Sequence, residues 1–198
     1  MRRQALFLDR DGVINVDYGY VYKPEDFQFI EGIFQLVSAA NRGGYLVIVI
    51  TNQAGIGRGY YSEKDFHRLT NWMNMQFALR KARIDEVYFC PFHPKHGVGK
   101  YRQESDCRKP APGMLLQAQK DHGLDLKRSI FVGDKPSDMD AGKRAGVGTL
   151  LYFTENELVA GALSITKLNQ AVPYLKSGIS LKQGSSAKSV RWLSTREE

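Results

Sequence analysis

The run Tyr45-Leu46-Val47-Ile48-Val49-Ile50 is continuous, apolar and rich in β-branched residues, and it ends abruptly in Thr51-Asn52-Gln53. A strand without polar alternation is buried on both faces, which places it inside a parallel sheet with helices on either side. Three other apolar runs end in the same way: Leu6-Phe7-Leu8 in Asp9, Val87-Tyr88-Phe89 in Cys90, and Ile130-Phe131-Val132-Gly133 in Asp134. Helical patterns lie between them. Apolar spacing from Ile33 through Phe34, Leu36, Val37 and Ala40 predicts a helix stopped by Gly43-Gly44. Ser62 with Asp65 three residues on resembles a capping box, and opens a helix to about residue 81 with Leu69, Trp72, Met73, Met75 and Leu79 as core. Further helices are expected over 113–122 and from Ser137-Asp138-Met139 to Gly146, with a last strand over 148–153. Residues 54–59 read as a glycine-punctuated loop, and residues 91–112 as a long irregular one of the kind that is functional or stapled. This alternation predicts the α/β class, a doubly wound parallel sheet, as one domain over residues 1–175. No separate cap domain is visible between residues 12 and 109, and a basic, loosely ordered tail is expected over 176–198.

At 198 residues and 42% hydrophobic, the chain can bury a substantial core. It has no apolar run near eighteen residues, and its N-terminal arginines precede an apolar stretch too short for a signal peptide, so a cytoplasmic location is expected. Two cysteines, Cys90 and Cys107, do not make a disulfide framework, and a reducing compartment fits. The net charge of +7 is scattered, and the tail holds five basic residues against Glu197 and Glu198. Such an excess suits a protein that handles small phosphorylated metabolites, and no basic stripe with interleaved aromatics points to nucleic acid. The expected partner is a small phosphorylated molecule, with no nucleic acid, no membrane and a monomeric chain.

The strand ends carry the chemistry. Ligands in open α/β sheets bind beyond the carboxyl ends of the strands. Asp9 and Asp11 emerge there together, and two carboxylates this close need a neutralising partner such as a hard divalent cation. The bland alternative, an acidic turn after a strand, loses ground because Thr51, Lys109 and Asp134 recur downstream in order. A nucleophile, a proton shuttle, a fixed cation and donors for phosphoryl oxygens are the set that phosphoryl transfer requires.

Asp9-Arg10-Asp11-Gly12-Val13, Thr51 after an apolar strand, Lys109, and Gly133-Asp134 with Asp138 resemble the four motifs of the haloacid dehalogenase (HAD) superfamily. More narrowly, Asp17-Tyr18-Gly19-Tyr20, Thr51-Asn52-Gln53-Ala54, Cys107-Arg108-Lys109-Pro110 and Gly133-Asp134-Lys135 resemble its heptose-bisphosphate and histidinol-phosphate phosphatases. The resemblance implies a HAD-like Rossmannoid fold, with Asp9 as nucleophile, Asp11 as general acid and base, and Thr51 and Lys109 on the phosphoryl oxygens. It implies Mg2+ on Asp9, Asp134 and the main-chain carbonyl of Asp11. Asp17, Tyr18, Gly19, Tyr20, Asn52, Gln53, Ala54, Arg108 and Lys135 would line the substrate pocket, with Arg108 on the phosphate that is not cleaved. Relatives staple the 91–112 loop with a structural zinc through Cys-x-His and Cys-x-Cys pairs. Here Phe92 and Ser105 stand where two ligands belong, so Cys90 and Cys107 are expected to be a remnant and the zinc to be lost, His93 and His96 being the only nearby substitutes.

Overall fold

The computed structural model describes residues 2–155, 158–175 and 190–192. Among the described residues, seven strands, β1 (Ala5–Leu8), β2 (Leu46–Asn52), β3 (Glu86–Cys90), β4 (Ile130–Gly133), β5 (Thr149–Phe153), β6 (Leu163–Ile165) and β7 (Val190–Trp192), form one sheet. The order is β6-β5-β4-β1-β2-β3-β7 and every neighbouring pair is parallel. Helices α1 (Ile33–Arg42), α2 (Ala54–Gly57), α3 (Glu63–Leu79), α4 (Gly113–His122) and α5 (Pro136–Ala145) complete the doubly wound α/β fold.

Successive strand residues feed opposite cores, as the pleat demands. Leu6, Leu8, Val47, Val49, Val87 and Phe89 pack with Ile33, Leu36, Val37, Phe66, Leu69 and Met73 from α1 and α3. Ala5, Phe7, Ile48, Ile50 and Tyr88 pack with Met114, Leu115, Ala118, Met139 and Ala141 from α4 and α5. The continuous apolar run at 45–50 is therefore explained by two cores sharing one sheet.

Four details differ from expectation. Met75 and Leu79 are 53% and 71% exposed, because the buried stripe of α3 runs through Phe66, Leu69, Thr70, Met73 and Phe77 and those two lie off it. Trp72 is partly buried against Phe27 and Phe29. Residues 54–57 form a helical turn, since their glycines serve close packing: a side chain at Gly55 would meet Tyr61, and one at Gly57 the Pro91 carbonyl. Strand β6 carries no apolar signature because Leu163 and Ser164 are exposed and only Ile165 is buried. Of the expected tail, residues 176–189 and 193–198 lie outside the described residues, and Val190–Trp192 pairs in parallel with β3.

The Ser62–Asp65 capping box does open α3: the Asp65 amide donates to Ser62 Oγ and the Ser62 amide to Asp65 Oδ2. Among the described residues, no helix is long and apolar enough to cross a membrane.

Candidate active site

The sheet order reverses between β1 and β4, and there the carboxyl ends of the strands part to leave a crevice. Asp9 leaves β1 and Asp134 leaves β4 at this point, and the Asp9 amide donates to the Val132 carbonyl at 3.0 Å. Thr51 comes from β2, Asp138 from the first turn of α5, and Lys109 from the loop before α4. Topology alone thus collects the four sequence motifs.

Lys109 is buried, and its ammonium reaches Asp9 Oδ1 at 2.9 Å, Asp138 Oδ1 at 2.7 Å and the Ile50 carbonyl at 2.9 Å. The Ile50 carbonyl accepts a hydrogen bond from it, and the two carboxylates flank it as ion-pair partners. Burial alone would pull the Lys109 amine down, but Asp138 and Asp9 hold it above its ordinary value. For Asp9 the balance is reversed. Burial, with Asp138 and Asp134 adding to it, pushes the carboxyl up to about 8 against the pull of Lys109.

Asp11 has a separate set of partners. Arg10 donates to both its oxygens at 2.9 Å, Asn15 Nδ2 to Oδ1 at 3.0 Å, and Gln53 Nε2 to Oδ2 at 3.0 Å. Arg10 is itself buried, donates to the Val21 carbonyl at 2.7 Å and lies over the Phe66 ring. The Gln53 amide also donates to Thr51 Oγ1, and the Tyr61 hydroxyl donates to Gln53 Oε1. The Asp11 carboxylate is therefore fixed by a network outside the Asp9–Lys109–Asp138 group. Arg10, Asn15, Tyr61 and Asp138 carry roles that the motif assignments did not give them. The alternation of a strand could have pointed to Gln53, which shares a face with Thr51.

Asp9, Asp134 and Asp138 each bring a carboxylate oxygen within 4.8 Å of the others, and no other such group of potential metal ligands occurs among the described residues. Burial, ahead of its charged neighbours, raises Asp134 to about 6, and its Oδ1 is buried without a hydrogen-bond partner. An orphaned carboxylate oxygen beside a second buried carboxylate fits a hard, oxygen-seeking divalent cation. The Asp11 carboxylate is not in this group, because Arg10, Asn15 and Gln53 hold it elsewhere; Asp138 supplies the third carboxylate. Gly12, at φ +92°, lies so close beneath Asp134 that any Cβ there would be driven into its carboxylate.

The rim is built from the loop after β1 and the loop before α4. Lys135 Nζ donates to Asp17 Oδ2 at 2.9 Å, and the Gly19 amide donates to Asp17 Oδ1. Burial raises the Asp17 carboxyl, yet these two bonds together hold it below its ordinary value. Tyr18 is largely exposed and donates to Gln28. Tyr20, at φ +54°, packs edge-on against Tyr60 and faces the Arg58 guanidinium. Arg108 is half-buried, with Nη1 donating to the Phe92 carbonyl at 3.3 Å. Ala54 opens α2. Asn52 clamps the main chain of Lys109 with its side-chain amide, donating to the carbonyl and accepting from the N–H, both at 3.1 Å.

The cysteines depart from expectation. Cys90 and Cys107 are bonded to each other, their Cα atoms 5.6 Å apart. A count of two cysteines says nothing of adjacency, and here the end of β3 and the Lys109 loop bring them face to face. Phe92 belongs to the same apolar cluster as both cysteines, and Ser105 Oγ contacts Cys107 Sγ. His93 turns Nδ1 onto the amides of Lys95 and His96.

Known proteins resemble this chain in both sequence and fold. A family model described as HAD-hydrolase-like matches residues 106–172. A D-glycero-α-D-manno-heptose-1,7-bisphosphate 7-phosphatase from Burkholderia mallei is 57% identical, with the alignment covering 88% of this chain and 95% of the relative. A D-glycero-β-D-manno-heptose-1,7-bisphosphate 7-phosphatase from Vibrio cholerae is 53% identical over 75% of this chain and 80% of its own length. Among solved structures, a D,D-heptose 1,7-bisphosphate phosphatase from B. bronchiseptica, complexed with magnesium and phosphate, superposes with a TM-score of 0.76 at 25% identity, covering 87% of this chain and 97% of that one. A HAD-like phosphatase from Mesorhizobium loti reaches 0.81 at 34% identity, covering 88% and 87%. With Asp9, Lys109 and the acid cluster assembled at the switch point, the chain belongs to the heptose-bisphosphate phosphatase family of the HAD superfamily and is a phosphoric monoester hydrolase.

Proposed function

We propose that this phosphatase removes the 7-phosphate of D-glycero-D-manno-heptose 1,7-bisphosphate through an aspartyl-phosphate on Asp9, a step toward ADP-heptose for lipopolysaccharide core. One observation carries the chemistry: the two aspartates that flank Arg10 are held by different partners and so can do different work. Asp9 faces Lys109 and the acid cluster. Asp11 is poised on Arg10, Asn15 and Gln53. The substrate is supported by relatives of that name at 57% and 53% identity.

In this account an Asp9 oxygen attacks phosphorus and the bond from phosphorus to the sugar oxygen breaks. Asp11 gives its proton to the departing oxygen. Asp11, now a carboxylate, takes a proton from water as that water attacks the aspartyl-phosphate, and Asp9 is regenerated with release of phosphate. Thr51 and Lys109 hold the phosphoryl oxygens. Mg2+ would be held by Asp9, Asp134 and the carbonyl of Asp11, within reach of Asp138, and when bound it offsets the charge that gathers there. Arg108 takes the phosphate that is not cleaved, through the planar fork that suits it.

The test is phosphate release with Mg2+, comparing kcat/KM for both anomers of the heptose bisphosphate with that for histidinol phosphate. A preference of several orders of magnitude for one heptose anomer is expected, and the preferred anomer then reads the configuration at carbon 1. A preference for histidinol phosphate would overturn the substrate assignment and leave the chemistry standing.

A further inference from the structure

Arg58 closes the short helix α2, with its amide donating to the Ala54 carbonyl at 2.9 Å. Its side chain lies among groups that do not neutralise it. The guanidinium carbon sits 5.7 Å from the centre of the Tyr20 ring, and Nε is buried with no hydrogen-bond partner. The ion pairs of the described residues include neither Arg58 nor Arg108. The Arg58 guanidinium instead acts on its neighbours: burial first, then Arg58, holds Arg108 below its ordinary value, and burial, then Arg108, His96 and Arg58, lowers His93. Glu104, on the exposed face of the same loop, is the acid that faces Arg108 and His93.

This juxtaposition is built into the backbone. The Val98 amide donates to the Gly57 carbonyl at 2.8 Å, and a side chain at Gly57 would strike the Pro91 carbonyl, so α2 docks directly on the loop that carries Arg108. Two like charges brought together with a buried, unpartnered N–H between ring and loop form a site for a dianion. Tyr20, held at positive φ by its loop and braced on Tyr60, is the plate beneath it.

We propose that Arg58 is a specificity residue that, with Arg108, clamps the phosphate which is not cleaved. The assignment rests on the reading of the substrate as a bisphosphate, and it deepens that reading by naming a second arginine. A charge-assisted hydrogen bond to phosphate corresponds to about a ten- to hundred-fold change in affinity.

The experiment compares kcat/KM for heptose 1,7-bisphosphate and heptose 7-phosphate in the wild type, Arg58→Gln and Arg58→Lys. The expected result is a bisphosphate-to-monophosphate ratio that falls about ten- to hundred-fold in Arg58→Gln and recovers in part in Arg58→Lys. An unchanged ratio, including an equal loss on both substrates, overturns the clamp. A wild type that does not favour the bisphosphate overturns the substrate reading instead. The clamp is then judged without turnover, by calorimetric titration of mannose 1-phosphate into protein whose Asp9 is capped with beryllofluoride. A loss of about ten-fold or more in affinity on Arg58→Gln supports it, and equal affinity in the two proteins refutes it.

Discussion

In the proposed reaction Asp11 exchanges a proton with the substrate oxygen and then with water, and every partner it has is a donor: the Arg10 fork, the Asn15 amide and the Gln53 amide. Such a carboxylate is held in place without a competing acceptor. Replacing it with asparagine keeps the volume and removes the proton, so kcat of Asp11→Asn should fall by about 10²–10⁴ while KM changes little. An unchanged kcat in steady-state assays would remove Asp11 from the proton-transfer role. Gly12 makes a sharper demand, since both its φ of +92° and the Asp134 carboxylate above it exclude a side chain. Gly12→Ala should displace Asp134 and weaken Mg2+ binding by at least about ten-fold in calorimetry, because a carboxylate ligand moved off its position is no longer preorganised. The Asp-x-Asp-Gly motif was legible in the chain because its parts are local in sequence. The partners of Asp11 were not, because Gln53 arrives from the turn that follows another strand and Arg10 reads, in sequence, as a spacer between two acids.

At the scale of elements, the loop before α4 is where the site depends on assembly. Residues 91–112 lack periodicity, which is why the chain betrays only that the loop exists and not its shape. Its shape follows from discrete ties: the Cys90–Cys107 bond, the Asn52 clamp on the Lys109 main chain, and the Tyr101 hydroxyl donating to Glu63 at 2.6 Å. Lys109 then closes the arrangement by filling the space between Asp9 and Asp138 with its charge. Lys109→Met leaves two buried carboxylates without their cation and should cost about 3–5 kcal/mol in urea unfolding. Adding Asp138→Asn should recover part of that loss, since one of the stranded charges is gone. Strictly additive losses in the two variants would contradict the coupling. The helix α3 shows the opposite kind of failure: its existence and its capping box follow from local chemistry, but the burial of Met75 and Leu79 does not, because the docking face is set by the sheet it lies on.

For the whole molecule, the fold and its chemistry conflict, and the conflict is measurable. The sheet order places Asp9 and Asp134 in a buried crevice, where the carboxyls are raised to about 8 and about 6, burial being the first cause in each case. An acid whose pKa is raised by folding binds more protons folded than unfolded between its two values. Stability contributed by the protonated form is therefore complete below the unfolded value and is lost as pH rises through the folded one. Without divalent cation, the wild type should lose stability relative to Asp9→Asn as pH rises from 4 to 8.5, by several kcal/mol, and Mg2+ should return it. Parallel stability curves for the two proteins would contradict the assignment of a buried, cation-requiring acid. The α/β class and the polar strand ends were readable because each is a short-range pattern repeated four times along the chain. The disulfide, the edge strand β6 and the role of Asp138 were not, because they depend on which distant segments the sheet brings into contact. The nucleophile remains the centre of the account, and it is tested directly by rapid acid quench with substrate labelled at the 7-phosphate. The account predicts a labelled, hydroxylamine-labile phosphoprotein that forms and decays at the rate of turnover, maps to Asp9 and is absent from Asp9→Asn. Full phosphate release with no labelled protein at any time, or turnover by Asp9→Asn, would contradict it.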